Sequence, residues 1–156
     1  TQMLSMRLGD LGLPEQPIDY EEARALFGAD PRDRWAGYLL GALLVLARER
    51  RLEVHRGADL LLHSDVPEGR GVAASTAITV AALRAFAGLL GVELDGHDLA
   101  RLAATVEREV QSGDGRGADP LTVAASESGE LLVVHGARCA VDARVTVPMD
   151  FEFVGL

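Results

Sequence analysis

Lysine is absent from this chain: all 15 basic residues among its 156 are arginine. That excludes the phosphate loop of the G-x-x-x-x-G-K-(S/T) type, whose lysine reaches the terminal phosphates. Any phosphate site must therefore rest on backbone amides, arginine and a metal ion. Positive charge is scarce overall. The net charge of −9 argues against nucleic acid as a partner, since duplex binding needs a basic face that displaces counterions. A single cysteine, Cys139, permits no internal disulfide, in keeping with a reducing compartment. Aromatic residues make up 4% of the chain against 48% hydrophobic residues. The expected core is therefore leucine, valine and alanine, in one domain covering residues 1–156. No apolar run reaches the ~20 residues that a membrane-spanning helix requires. Thr1 is not followed by the pattern of a secretory signal. The expected location is cytoplasmic, with no membrane partner. The four histidines, His55, His63, His97 and His135, show no metal-ligand spacing and read as structural or exposed.

What is present is a pattern of strands and capped helices. Met3 to Leu8 alternates apolar and polar residues as a short strand does. Asp19 suits the cap of a helix through Phe27 that Gly28 ends. Asp30-Pro31 reads as the start of a second helix, with Trp35, Tyr38, Leu39, Ala42, Leu43 and Leu46 at helical spacing. Leu60 to Val66 reads as a strand leading into Val66-Pro67-Glu68-Gly69-Arg70-Gly71-Val72-Ala73-Ala74-Ser75-Thr76-Ala77. A third helix follows and stops at Gly91. Asp95 caps a fourth running to about Gln111. Ser112 to Gly117 is a second glycine-rich loop, and Asp119-Pro120 opens a short helix through Ala125. Leu131 to Val134, Val141 to Val147 and Phe151 to Val154 read as strands. Strands towards both ends with helices between them predict an α+β fold. Both ends read as cuts through a larger protein.

The first glycine loop carries the chemistry. A strand, a glycine turn and a helix start let the backbone approach a ligand closely, with unpaired amides pointing at it. Such a place suits phosphate. Glu107 on the fourth helix and Asp119 after the second loop add two acids near turns that could converge on Ser75. Magnesium takes hard oxygen ligands, few of them from protein, and Ser75 with Glu107 would serve. The plainer readings stand beside these. Glu107 reads equally as a solvated helix residue, Asp119 and Ser75 as helix caps, Trp35 as core, and Cys139 as inert.

The segment from Pro67 to Ala77 resembles the phosphate loop of the GHMP kinases, P-x-G-x-G-(L/V)-(G/S)-S-S-A. The stretch from Glu107 to Asp119-Pro120 resembles the galactokinase segment ending P-C-G-x-M-D-Q. Pro17 to Arg24 and Asp33 to Tyr38 resemble the galactokinase-like L-arabinokinases. The resemblance implies the N-terminal, ATP-binding lobe of a sugar kinase, a two-layer α+β sandwich shared with a ribosomal-protein domain. It implies ATP and Mg²⁺ as cofactors and a monosaccharide substrate phosphorylated at a hydroxyl, commonly the anomeric one. A C-terminal kinase lobe is implied in the parent chain. By position, Gly69, Arg70, Gly71, Val72, Ala73, Ala74, Ser75 and Thr76 would hold the nucleotide, with Trp35 near its base. Ser75 and Glu107 would hold the metal, and Asp119 would face the sugar hydroxyl. Arg70 and Arg116 could add positive charge near the transferred group. Two departures are visible. Ala73-Ala74 replace the pattern's (G/S)-S, which removes two side-chain hydroxyls. The second loop has become Gly115-Arg116-Gly117-Ala118-Asp119-Pro120, or a one-residue shift of it. The alternative is a kinase-like ligand-sensing or interaction module that has lost its chemistry.

Overall fold

The computed structural model describes residues 3–113, 118–135, 138–148 and 150–151. Five α-helices and a two-stranded antiparallel sheet make the α+β architecture expected. The first helix, α1 (Tyr20–Gly28), begins as its sequence demands. Asp19 accepts from the Glu22 amide at 2.8 Å while Glu22 accepts from the Asp19 amide at 3.1 Å, which satisfies two end donors reciprocally. Ala23 and Phe27, four apart, are its buried residues.

The second helix, α2 (Ala36–Arg50), is the centre of the molecule. Every residue from Gly41 to Ala47 is buried, as in a helix surrounded on all sides. It starts later than Asp30-Pro31 suggested. The Asp30 carboxylate caps the Arg32 amide at 2.9 Å and pairs with its guanidinium at 2.6 Å. Short bonds such as Asp33 N–H to Asp30 C=O, 3.0 Å, wind residues 31–35 as turns, and helical geometry is reached only at Ala36. At the other end Arg48 does more than complement the helix dipole. Its guanidinium donates to the carbonyls of Pro17 and Ile18 at 2.7 and 2.6 Å and lies 4.9 Å over the Tyr20 ring. The Tyr20 hydroxyl donates to Glu49 at 2.6 Å, so the entry to α1 is fastened to the end of α2.

The third helix, α3 (Ala74–Leu90), packs Thr76, Thr79, Val80, Leu83 and Phe86 inward. It ends at Gly91, whose φ of 68° lets the Val92 amide turn back to the Ala87 carbonyl at 2.9 Å, a standard glycine termination. Asp95 caps α4 (Gly96–Thr105) through the Asp98 amide at 2.7 Å. The α-helix expected through Gln111 does not run that far. Val106–Val110 form a π turn, closed by Gln111 N–H to Val106 C=O at 3.0 Å. The wider turn has somewhere to go because it faces the glycines of α2. A methyl on Gly41 would lie 3.0 Å from Val110 Cγ1, and one on Gly37 would lie 1.8 Å from the Gln111 amide nitrogen.

The last helix, α5 (Ala118–Ala125), is held to α3 by Arg84, which donates to the Ala124 carbonyl at 3.0 Å. Strands β1 (Glu130–His135) and β2 (Ala140–Thr146) follow, with Leu131 opposite Val145 and a bulge after Val133. Arg144 reaches both Glu130 and the Ala125 carbonyl, tying the hairpin to α5. Cys139 sits in the turn between the strands, where burial pushes its thiol up against a smaller opposing pull from Arg101.

Two strands expected from sequence are not found as such, and a third, Phe151 to Val154, lies almost wholly outside the described residues. Met3 to Arg7 is unpaired and Leu8–Leu11 winds into a 3-10 turn. Leu60 to Val66 is not in a sheet, and Leu61 is 96% exposed. Alternation shows where a strand would lie, but a strand exists only against a neighbouring backbone, and among the described residues none pairs with either segment. Phe151 lies outside any strand, and 152–156 lie outside the described residues. No described helix is long and apolar enough to cross a membrane.

Candidate active site

The first glycine loop folds around alternating backbone handedness. Gly69, Gly71 and Ala73 have φ of 67°, 71° and 56°, with residues of ordinary φ between them. Alternation of this kind makes a concave backbone whose N–H groups converge, a known anion-binding shape. A Cβ on Gly69 or Gly71 would meet nothing within 4 Å, so the loop is open to solvent and the glycines answer to φ alone. Arg70 is exposed there.

The loop delivers the chain into α3 without a side-chain cap. The residue at the cap position is Ala73, which has no oxygen to offer. The first bond of the helix is Ala77 N–H to Ala73 C=O at 2.9 Å. The amides of Ala74, Ser75 and Thr76 thus form the donor-rich, positive end of a 17-residue helix, the kind of end that receives phosphate. Ser75, expected to stand at or near the cap, lies half-buried in this first turn.

Glu107 comes to the same place from the other side of the core. It is half-buried within the π turn, and its carboxylate accepts from the Thr76 hydroxyl at 2.5 Å across 31 residues of sequence. This bond brings Glu107 against the first turn of α3. π turns recur at functional sites because the added residue redirects a side chain. After the turn the Gly113 amide returns to the Glu107 carbonyl at 2.8 Å. Gln111 at the end of the turn donates to the Arg34 carbonyl at 3.3 Å, which brings the start of α2 alongside. Trp35, half-buried, stands at that start. A cleft of about 210 Å³ opens between α1 and the π turn, bordered by Arg24, Phe27, Arg34, Gln111 and Ser112.

Asp119 is less tightly integrated. It is exposed in the first turn of α5, the helix whose far end Arg84 fixes to α3. The loop 114–117 before it, with Arg116, lies outside the described residues. The histidines are all exposed, and His55 pairs with Glu53 at 3.1 Å. Among the described residues no group of three His, Cys, Asp or Glu gathers to hold a metal. A hydroxyl and one carboxylate at the amide-rich start of a helix nevertheless fit magnesium, a hard cation that would draw its remaining ligands from phosphate and water. The residue whose part was not legible in sequence is Thr76. It was read as one more member of the phosphate loop, whereas its side chain turns inward to Glu107.

Several known proteins resemble this chain in sequence. A sequence profile described as the GHMP kinases N terminal domain matches residues 37–129. The chain is 35% identical over 151 residues to an L-arabinokinase of Arabidopsis thaliana, covering 97% of this chain and 14% of that protein. It is 38% identical over 106 residues to a galactokinase of Chloroflexus aggregans, covering 67% and 26%. A mevalonate kinase of Thermococcus onnurineus is 32% identical over 113 residues, covering 71% and 33%. The chain thus spans between 14% and 33% of the length of these relatives. No solved structure matches.

Proposed function

The chain belongs to the GHMP kinases through their N-terminal domain, and from that premise we propose that it is the ATP-binding lobe of a cytoplasmic, ATP-dependent sugar kinase of the galactokinase and L-arabinokinase type. The observation that carries this reading is the hydrogen bond from Thr76 to Glu107. It sets a carboxylate against the first turn of α3, the turn that also carries Ser75. Phosphoryl transfer passes through a loose transition state, so catalysis consists mostly of positioning and charge neutralisation. The amides of residues 74–76 would hold the nucleotide phosphates, with the open loop from Gly69 to Ala73 wrapping them. Ser75 and Glu107 would hold Mg²⁺, which would offset charge on the β- and γ-phosphate oxygens. Trp35 would lie towards the base. Asp119, exposed and accessible to a substrate, would orient the sugar hydroxyl or accept its proton. The acceptor is a monosaccharide, at its anomeric hydroxyl, and a C-terminal kinase lobe would complete the site.

One observation favours a second reading, a kinase-like module that binds ligand without turning it over. Ala73 and Ala74 leave the start of α3 with no cap and with two fewer hydroxyls than the family pattern. The two readings separate in one assay. The full protein is incubated with ATP, Mg²⁺ and a panel of monosaccharides, beside an Asp119→Asn variant. The kinase reading expects sugar-dependent ATP turnover that falls by orders of magnitude in the variant. Equal turnover by both proteins would remove Asp119 from the mechanism. No turnover on any sugar, with nucleotide still bound, would establish the module.

A further inference from the structure

Two polar side chains are buried in the described core, Thr76 at 2% exposure and Thr79 at 0%. They behave differently. Thr79 donates to the Ser75 carbonyl at 3.0 Å, the ordinary bond of a threonine to its own helix one turn back. Thr76 instead spends its only proton on Glu107, on another element altogether. Helix α3 does not require this hydroxyl, and the family pattern has alanine at the same position. A buried hydroxyl is unfavourable unless it is hydrogen-bonded, so Thr76 depends on the carboxylate it bonds.

We propose that Thr76 is a positioning residue that fixes the Glu107 carboxylate for a magnesium–nucleotide held at the start of α3. This rests on the kinase reading above and deepens it. Three features act together. Threonine is stiff about its first side-chain bond, so its hydroxyl has few directions open to it. Glutamate, by contrast, has three free torsions to order, and a donor that orders one oxygen before the ligand arrives removes part of that cost from binding. The π turn supplies the third feature. It sets the Glu107 backbone at an angle that a continuous α-helix would not give, and the glycines of α2 leave room for it. Thr76 and Ser75 are adjacent, so the residue that orients the carboxylate and the residue offering a hydroxyl move as one rigid turn.

The test uses the full protein and calorimetric titration with ATP across a series of Mg²⁺ concentrations. Thr76→Val keeps the shape and removes the hydroxyl; Thr76→Ser keeps the hydroxyl. The Mg²⁺ concentration for half-maximal ATP binding should rise ~10-fold or more in the valine variant, the usual loss when a partner of a metal ligand is removed. Serine should restore it, and ATP affinity without Mg²⁺ should be unchanged throughout. In a Glu107→Gln background the valine substitution should have no further effect. Should the valine variant fail to fold, Thr76→Ala takes its place with the same expectation. An unchanged Mg²⁺ requirement in the valine or alanine variant would overturn the proposal, as would an equal loss in the serine variant. If the unaltered protein binds ATP with no Mg²⁺ dependence, the metal site of the kinase reading falls, and this proposal with it.

Discussion

Ala73 carries a backbone conformation that its side chain disfavours, and replacing it with glycine should stabilise the protein. Its φ and ψ are 56° and 37° at the cap position of α3. An L-residue in this left-handed region is disfavoured by ~1–2 kcal/mol because its Cβ crowds the next carbonyl. Glycine escapes that penalty but gains freedom in the unfolded chain worth ~0.4–1 kcal/mol. Glycine is also the better cap residue of the two. The net gain from Ala73→Gly is therefore about 0.5–1 kcal/mol. Ala73→Val should move the other way, since a β-branched residue is a true outlier at positive φ. Urea unfolding of the three proteins reads this directly, as shifts in midpoint at unchanged slope. A glycine variant less stable than the parent, or a valine variant equal to it, would refute the conformation assigned to the phosphate loop.

Three other outcomes follow from packing and charge. Gly41→Leu would push against Val110, whose methyl already lies 3.0 Å from where a Cβ would stand; a loss of ~1–3 kcal/mol in urea unfolding is expected, and no loss would mean that the π turn does not rest on α2. Asp19→Ala removes the side-chain half of the α1 capping box and keeps the backbone amide that donates to Glu22; it should cost about 1 kcal/mol by the same measurement, whereas a neutral result would count against the cap. Tyr20 has its hydroxyl pushed up from its usual 10.0 by burial and by the Glu49 carboxylate it bonds. The protonated phenol is thus favoured in the fold, so its contribution is complete below pH 10 and declines as pH rises towards the raised value. Stability should accordingly fall above pH 10, and Tyr20→Phe should flatten that decline; a variant with the same alkaline slope would contradict the assignment.

Much of this was legible in the sequence, and the rest failed for identifiable reasons. The caps at Asp19 and Asp95 and the stop at Gly91 are local chemistry, and all three are found where their residues stand. The glycine loop was readable because positive φ and helix starts leave residue signatures. The strands at Met3 to Leu8 and Leu60 to Val66 were not, because alternation records which residues suit a sheet and says nothing of what pairs with them. Asp30-Pro31 misled in another way: the carboxylate turned to Arg32, a nearer cation, and capped an amide two residues on. The π turn had no sequence signal of its own. It depends on Gly37 and Gly41, which are 70 residues or so upstream, and only packing brings them opposite Val110 and Gln111. The partnership of Thr76 with Glu107 was hidden for the same reason.

The central claim is that Ser75 and Glu107 face one magnesium–nucleotide at the start of α3. Crystals of the full protein grown with Mg²⁺ and a non-hydrolysable ATP analogue test it directly. The account predicts a metal about 2.1 Å from the Ser75 hydroxyl or the Glu107 carboxylate, with the phosphates on the amides of residues 74–76. Phosphates and metal bound anywhere else on the protein would contradict it.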